Sequence, residues 1–132
     1  MTASMTWHDY GDICRTRGSL AMEVFACITS PLADGPPSAD LLAEHLAYQA
    51  KLEAEGKLFL AGPLSDPSGQ AMSGSGLIIY RADTIVEARE LAAADPMHSS
   101  GHRCFSLQAW RLNEGQPFGL PALSTRRKAE TA

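Results

Sequence analysis

The segment Ser38–Asp66, SADLLAEHLAYQAKLEAEGKLFLAGPLSD, constrains the fold more than any other, because one run holds a helix, its stop, an apolar strand and a polar turn. Leu41, Leu42, Leu46 and Leu52, with Tyr48 between them, recur at a spacing that puts them on one side of a helix. His45 falls on that same side, one turn after Leu41. Ser38 is a suitable N-cap, Asp40 places a carboxylate where the helix dipole favours it, and Gly56 can adopt the left-handed conformation that ends a helix. Lys57 to Leu64 is then almost wholly apolar, interrupted only by Gly62-Pro63, which predicts a strand covered on both faces.

The rest of the chain arranges itself around this unit. Trp7, Tyr10, Ile13 and Cys14 predict a short helix ending near Gly18. In the first strand, Ser19 to Thr29, Met22, Val24, Ala26 and Ile28 share one face, and Phe25 and Cys27 stand on the other. Pro31 to Pro37 is a loop. Beyond the turn Ser65-Asp-Pro-Ser-Gly69, the glycines of Ser73 to Gly76 lead into a third strand, Leu77 to Tyr80, forming a long hairpin with the second. Thr84-Ile-Val-Glu87 matches a capping box, so a helix starts there with Ile85, Ala88 and Leu91 turned inward. It stops at Asp95-Pro96, because proline pushes the preceding residue out of helical geometry. Met97 to His102 reads as a polar loop, and Arg103 to Leu112 alternates as a last strand.

The resulting division is a helical extension (1–18), one α+β domain (19–112) and a frayed tail (113–132). The order β-α-β-β-α-β is the split arrangement of ferredoxin-like folds. Two helices cover one face of a four-stranded sheet, yet apolar residues such as Phe25, Phe59, Ile78 and Trp110 occur on both. A homodimer pairing sheet against sheet would cover the remainder.

The net charge of -4 argues against nucleic acid or an anionic membrane surface as partner, since either needs a basic face. No stretch has the length and apolarity of a bilayer span, and Met1 to Asp12 lacks the pattern of a secretory signal, so a cytoplasmic location is expected. Cys14, Cys27 and Cys104 have no metal-ligand spacing and read as reduced structural thiols. The chain has no Gly-rich phosphate loop, metal cluster or nucleophile elbow, and no cofactor is expected. His98 and His102 stand at i, i+4, but Ser99-Ser-Gly101 between them is poor helix and no third ligand is evident.

From Met22 to Leu112 the chain resembles the YCII-related proteins of the dimeric α+β barrel group. The resemblance rests on Glu44-His45-Leu46 in a helix ended by glycine, then Ala61-Gly-Pro-Leu64, Gly74 to Gly76, an Ala-rich helix running into Asp95-Pro96, and Trp110 near the end of the last strand. It implies sheet-to-sheet dimers and a His/Asp pair at His45 and Asp95. Better understood relatives look like small enzymes of aromatic degradation, including a dehydrochlorinase, and the fold is similar to that of muconolactone isomerase. In this chain the loop after Asp95-Pro96 is His98-Ser-Ser-Gly-His102, where family members often carry an apolar or aromatic residue.

Asp95 at a helix C-terminus meets the unfavourable end of the dipole, at roughly 0.3–1 kcal/mol. An imidazolium partner would compensate it, and the carboxylate would hold the imidazole in one tautomer. Both helices lie on one side of the sheet, so the two residues can meet. The competing readings are a core-edge histidine bonded to backbone and an Asp-Pro turn. Gly62, Pro63 and Ser65 at the mouth of the hairpin are candidate substrate contacts, with a bulge and turn chemistry as the plainer accounts.

The expected function is a cofactor-independent enzyme in which His45 shuttles a proton and Asp95 orients it. The reaction would be an isomerisation or an HX elimination on a small cyclic or aromatic substrate. A non-catalytic binding or assembly module with the same fold is the alternative, and a cofactor-free oxygenase a third reading.

Overall fold

The computed structural model of the protein describes residues 4–115. Hydroxyl caps open three helices: Thr6 for α1 (Trp7–Thr16), Ser38 for α2 (Ala39–Ala54) and Thr84 for α3 (Ile85–Ala94), each accepting the backbone N–H three residues on at 3.0–3.1 Å. Gly56, at φ 74°, lets the chain reverse after α2 so that the Lys57 N–H donates to the Leu52 carbonyl at 2.8 Å. The strands are β1 (Met22–Pro31), β2 (Leu58–Ser65), β3 (Met72–Tyr80) and β4 (Arg103–Leu112). They form one antiparallel sheet in the order β2-β3-β1-β4, the expected β-α-β-β-α-β topology.

The period-two alternation decides where the core sits. Phe25 and Cys27 of β1, Ile78 and Tyr80 of β3 and Leu107 of β4 share one face and pack against Leu52, Ala88 and Ala92 of the helices. Burying a large side chain such as Phe25 contributes roughly 1.5–3 kcal/mol. Small Ala88 and Ala92, both fully buried, let α3 approach the sheet closely.

Several expectations need correcting. β2 is an edge strand, and Ala61 to Ser65 are exposed rather than covered on both faces. Pro63 offers no N–H, which suits a strand paired on one side only. Along α2 only Leu52 is buried, while Leu42 and Leu46 are exposed. Ile85 is exposed too, because Ala88 and Ala92 form the inward stripe of α3. The polar loop after Asp95 contains a short helix, α4 (Pro96–Ser99), that the Asp95 side chain caps. Cys14 and Cys27 are buried free thiols, but Cys104 is exposed because its strand parity turns it to the opposite face.

On that opposite face Val24 and Ile79 are buried, and Trp110, facing Val24 across the strands, is 44% exposed. α1 is tied to the Glu23–Arg111 end of the sheet: the Trp7 indole donates to Glu23, and the Arg111 guanidinium lies 4.2 Å over the Trp7 ring and donates to the Trp7 carbonyl at 2.8 Å. Gly11 leaves room for this, since a Cβ there would lie 2.4 Å from Arg111 Nη1. No helix among the described residues is long and apolar enough to cross a membrane. The predicted tail falls largely on residues 116–132, outside the described residues.

Candidate active site

Between α2, the β2–β3 hairpin and the α3–α4 junction lies an open cleft of about 530 Å³. Leu42 and Leu46 form part of its apolar wall, which explains why a helical side that reads as core is exposed. His45, one turn after Leu42 and next to Leu46 in the chain, lines the same space.

His45 and Asp95 meet. Nδ1 of His45 lies 2.8 Å from Asp95 Oδ1 and 3.0 Å from Oδ2. The carboxylate is buried, with 1% of its side chain exposed against 18% for the imidazole. Asp95 Oδ1 also accepts the Met97 N–H at 2.9 Å, because the residue that closes α3 opens α4. Asp95 closes α3 as expected, and besides the imidazole the N-terminus of α4 compensates it, because the same carboxylate caps that helix. An ionised carboxylate only accepts, so the proton shared with His45 sits on Nδ1. Nε2 has no hydrogen-bond partner among the described residues, which leaves its lone pair for the cleft.

Gly62 and Pro63 line the cleft from the edge strand, where a Cβ on Gly62 would meet nothing within 4 Å. Ser65 does not join them. Its hydroxyl donates to the Asp66 carbonyl at 2.9 Å, while the Asp66 carboxylate collects the Ser68 hydroxyl and backbone N–H, so turn chemistry accounts for both residues.

A second polar group in the cleft escaped the sequence reading. His98, on α4, has Nδ1 2.7 Å from the Ala92 carbonyl and Nε2 2.8 Å from Thr29 Oγ1. A carbonyl only accepts, so Nδ1 carries the proton and Nε2 of the neutral ring receives the Thr29 hydroxyl hydrogen. Thr29 Oγ1 in turn accepts from Arg103 Nε at 3.0 Å. With both ring nitrogens occupied, His98 is unavailable for the metal pair considered with His102. The sequence signal that could have found this group was strand parity. Thr29 follows Phe25 and Cys27 on the inward face of β1, and Arg103 opens β4 on that same face.

Burial also limits which side chains can act as nucleophiles. Burial, reinforced by the nearby Asp95 charge, pushes the Cys27 thiol up to about 12. Tyr80 and Tyr48 are raised chiefly for the same reason, and the Tyr48 hydroxyl donates to the Leu91 carbonyl at 2.7 Å. A protonated, buried thiol is not a thiolate nucleophile. His45, by contrast, lines the cleft and keeps Nε2 without a hydrogen-bond partner among the described residues.

A family model described as the YCII-related domain matches residues 22–110. The uncharacterised protein YjpA of Bacillus subtilis (strain 168) is 33% identical over 73 residues, which is 55% of this chain and 79% of that protein. Among solved structures, the 5-chloro-2-hydroxyhydroquinone dehydrochlorinase of Burkholderia phenoliruptrix AC1100, in complex with 2,5-dihydroxybenzoquinone, aligns with a TM-score of 0.46 at 22% identity, over 70% of this chain and 95% of that one.

Proposed function

The chain belongs to the YCII-related family, and we propose that it is a cofactor-independent enzyme that uses His45 as a general base on a small cyclic or aromatic metabolite. The carrying observation is the His45–Asp95 pair at 2.8 and 3.0 Å, beside a cleft large enough for one small ring compound. Asp95 holds Nδ1–H, so Nε2 can take a proton from a substrate C–H or O–H, and the buried carboxylate stabilises the imidazolium that forms. The electron pair left on that carbon or oxygen forms a new double bond to the neighbouring atom while an adjacent π bond breaks. In isomerisation the displaced π electrons reach a second atom, to which the imidazolium returns the proton; in elimination they or the pair itself expel X, which leaves as an anion with its bonding electrons, giving net loss of HX. Apolar Leu42 and Leu46 would hold the hydrocarbon part of the ring.

The test is to find ligands by thermal stabilisation with cyclic oxygenated compounds, follow turnover of those that bind, and compare His45→Asn. Turnover should fall on the order of 10²–10⁴-fold while the variant stays folded and still binds the ligand. Unchanged turnover overturns the reading. A second reading is favoured by the burial of Asp95: the pair ties α2 to α4, and the protein is a binding or assembly module. His45→Asn should then lower the melting temperature and leave ligand binding in place.

A homodimer belongs to the same reading, because exposed Trp110 stands on the sheet face opposite the helices, beside Val24. Sedimentation equilibrium should give twice the chain mass and Trp110→Glu should reduce it to one; a monomeric wild type would remove the dimer.

A further inference from the structure

Among the described residues, Arg103 is the one lysine or arginine lining the cleft, and Asp95 is its one carboxylate. Asp95 is occupied by His45 and the Met97 N–H, so it does not neutralise Arg103, and no carboxylate among the described residues forms an ion pair with this guanidinium. The arginine is nevertheless held firmly. Nε donates to Thr29 Oγ1 at 3.0 Å, and Nη2 donates to the Thr29 carbonyl at 3.1 Å and to the Gly74 carbonyl at 2.6 Å. The remaining nitrogen, Nη1, has no acceptor among the described residues, so two of the five N–H donors of a guanidinium are left over. His98 completes the mounting by taking the Thr29 hydroxyl hydrogen, which leaves the hydroxyl oxygen as acceptor for Arg103.

We infer that Arg103 is the anchor for an anionic group of the substrate, and that this group is a carboxylate on the ring whose proton His45 moves. The inference rests on the reading of the cleft as a substrate site. A guanidinium is charged at every accessible pH, and its three structural bonds all run to neutral oxygens. A cation fixed in place, uncompensated and lining a largely apolar cleft is completed by an anion that brings its own acceptors. A carboxylate fits this role better than a phenol, because it stays ionised at neutral pH, where His45 must be unprotonated to act as a base. Thr29 and His98 are positioning residues here, acting through Arg103.

The experiment measures binding of sodium benzoate and of neutral benzamide, which has nearly the same shape, to the full chain by NMR titration at low and high NaCl. Wild type should prefer benzoate by about tenfold or more, with salt weakening benzoate and not benzamide, as expected for a charge-assisted contact. Arg103→Gln should bring the two ligands to within about twofold, and Arg103→Lys should keep part of the preference. If Arg103→Gln does not fold, the lysine variant and the salt dependence of wild type decide the matter. Equal binding of the two ligands by wild type, no benzoate binding at about 20 mM, or a preference unchanged in Arg103→Gln overturns the inference. His45→Asn should retain the benzoate preference. A preference that survives while His45→Asn turns over normally removes only the catalytic reading. A preference absent while His45→Asn is inactive removes only the carboxylate anchor.

Discussion

Two imidazoles line one cleft and are held in opposite ways. His45 gives its Nδ1 hydrogen to a buried carboxylate and keeps Nε2 unengaged. His98 gives its Nδ1 hydrogen to the Ala92 carbonyl and spends Nε2 on Thr29. The first ring has a charged partner that can stabilise an imidazolium, and the second has neutral partners on both sides. What a histidine can do is set by what remains after its structural bonds, so one ring is placed for proton transfer and the other for holding Thr29 and Arg103.

The contrast breaks most sharply at Asp95. In Asp95→Asn the amide can still cap α4 but can offer an N–H to His45 Nδ1, which moves the ring hydrogen to Nε2 and removes the base. Turnover should fall on the order of 10²–10⁴-fold while the protein stays folded, with a stability loss of roughly 1–3 kcal/mol by chemical denaturation. Turnover close to wild type would mean that the two histidines do not differ in the way described.

At His98, substitution by Ala should remove two hydrogen bonds and the ring contact with Phe105, whose centroid lies 4.8 Å away. The expected cost is about 1–3 kcal/mol of stability, with turnover at saturating substrate reduced by less than about tenfold. A loss as large as that of Asp95→Asn would make His98 a proton carrier as well.

The smallest effect reports how far the Asp95 charge reaches. Cys27 has an ordinary value of 9.0 raised to about 12 in the folded protein, by burial first and Asp95 second. The folded state holds this proton more tightly than the unfolded state, so stability is unaffected below about pH 9 and declines as pH rises toward 12. Tyr48 and Tyr80, also raised, act in the same sense. Urea melts between pH 8 and 11 should show the decline, and it should begin at higher pH in Cys27→Ala. Melts flat across that range would contradict the burial account.

Much of this arrangement was legible along the chain. Ser38 and Thr84 announced their helices because capping is local chemistry, and Asp95-Pro96 ended α3 for the same reason. The inward set Phe25, Cys27 and Ile78 followed from strand alternation. Leu42 and Leu46 misled, because helical periodicity reports an apolar side and cannot tell a core from a cleft wall. β2 misled in a related way, since an apolar run does not state whether a neighbour lies on both sides. Thr29, His98 and Arg103 were silent as a group, their partners being 69 and 74 residues apart in the chain.

By itself, the order of residues determined the three longer helices, the four strands, the β-α-β-β-α-β order and the family, all of which depend on patterns a few residues long or on their succession. Only the folded chain decided that β2 lies at an edge, that Thr29, His98 and Arg103 meet, and that one imidazole keeps a nitrogen for the cleft while the other does not. Those outcomes turn on hydrogen bonds between groups distant in sequence, whose directions are set when the helices settle on the sheet.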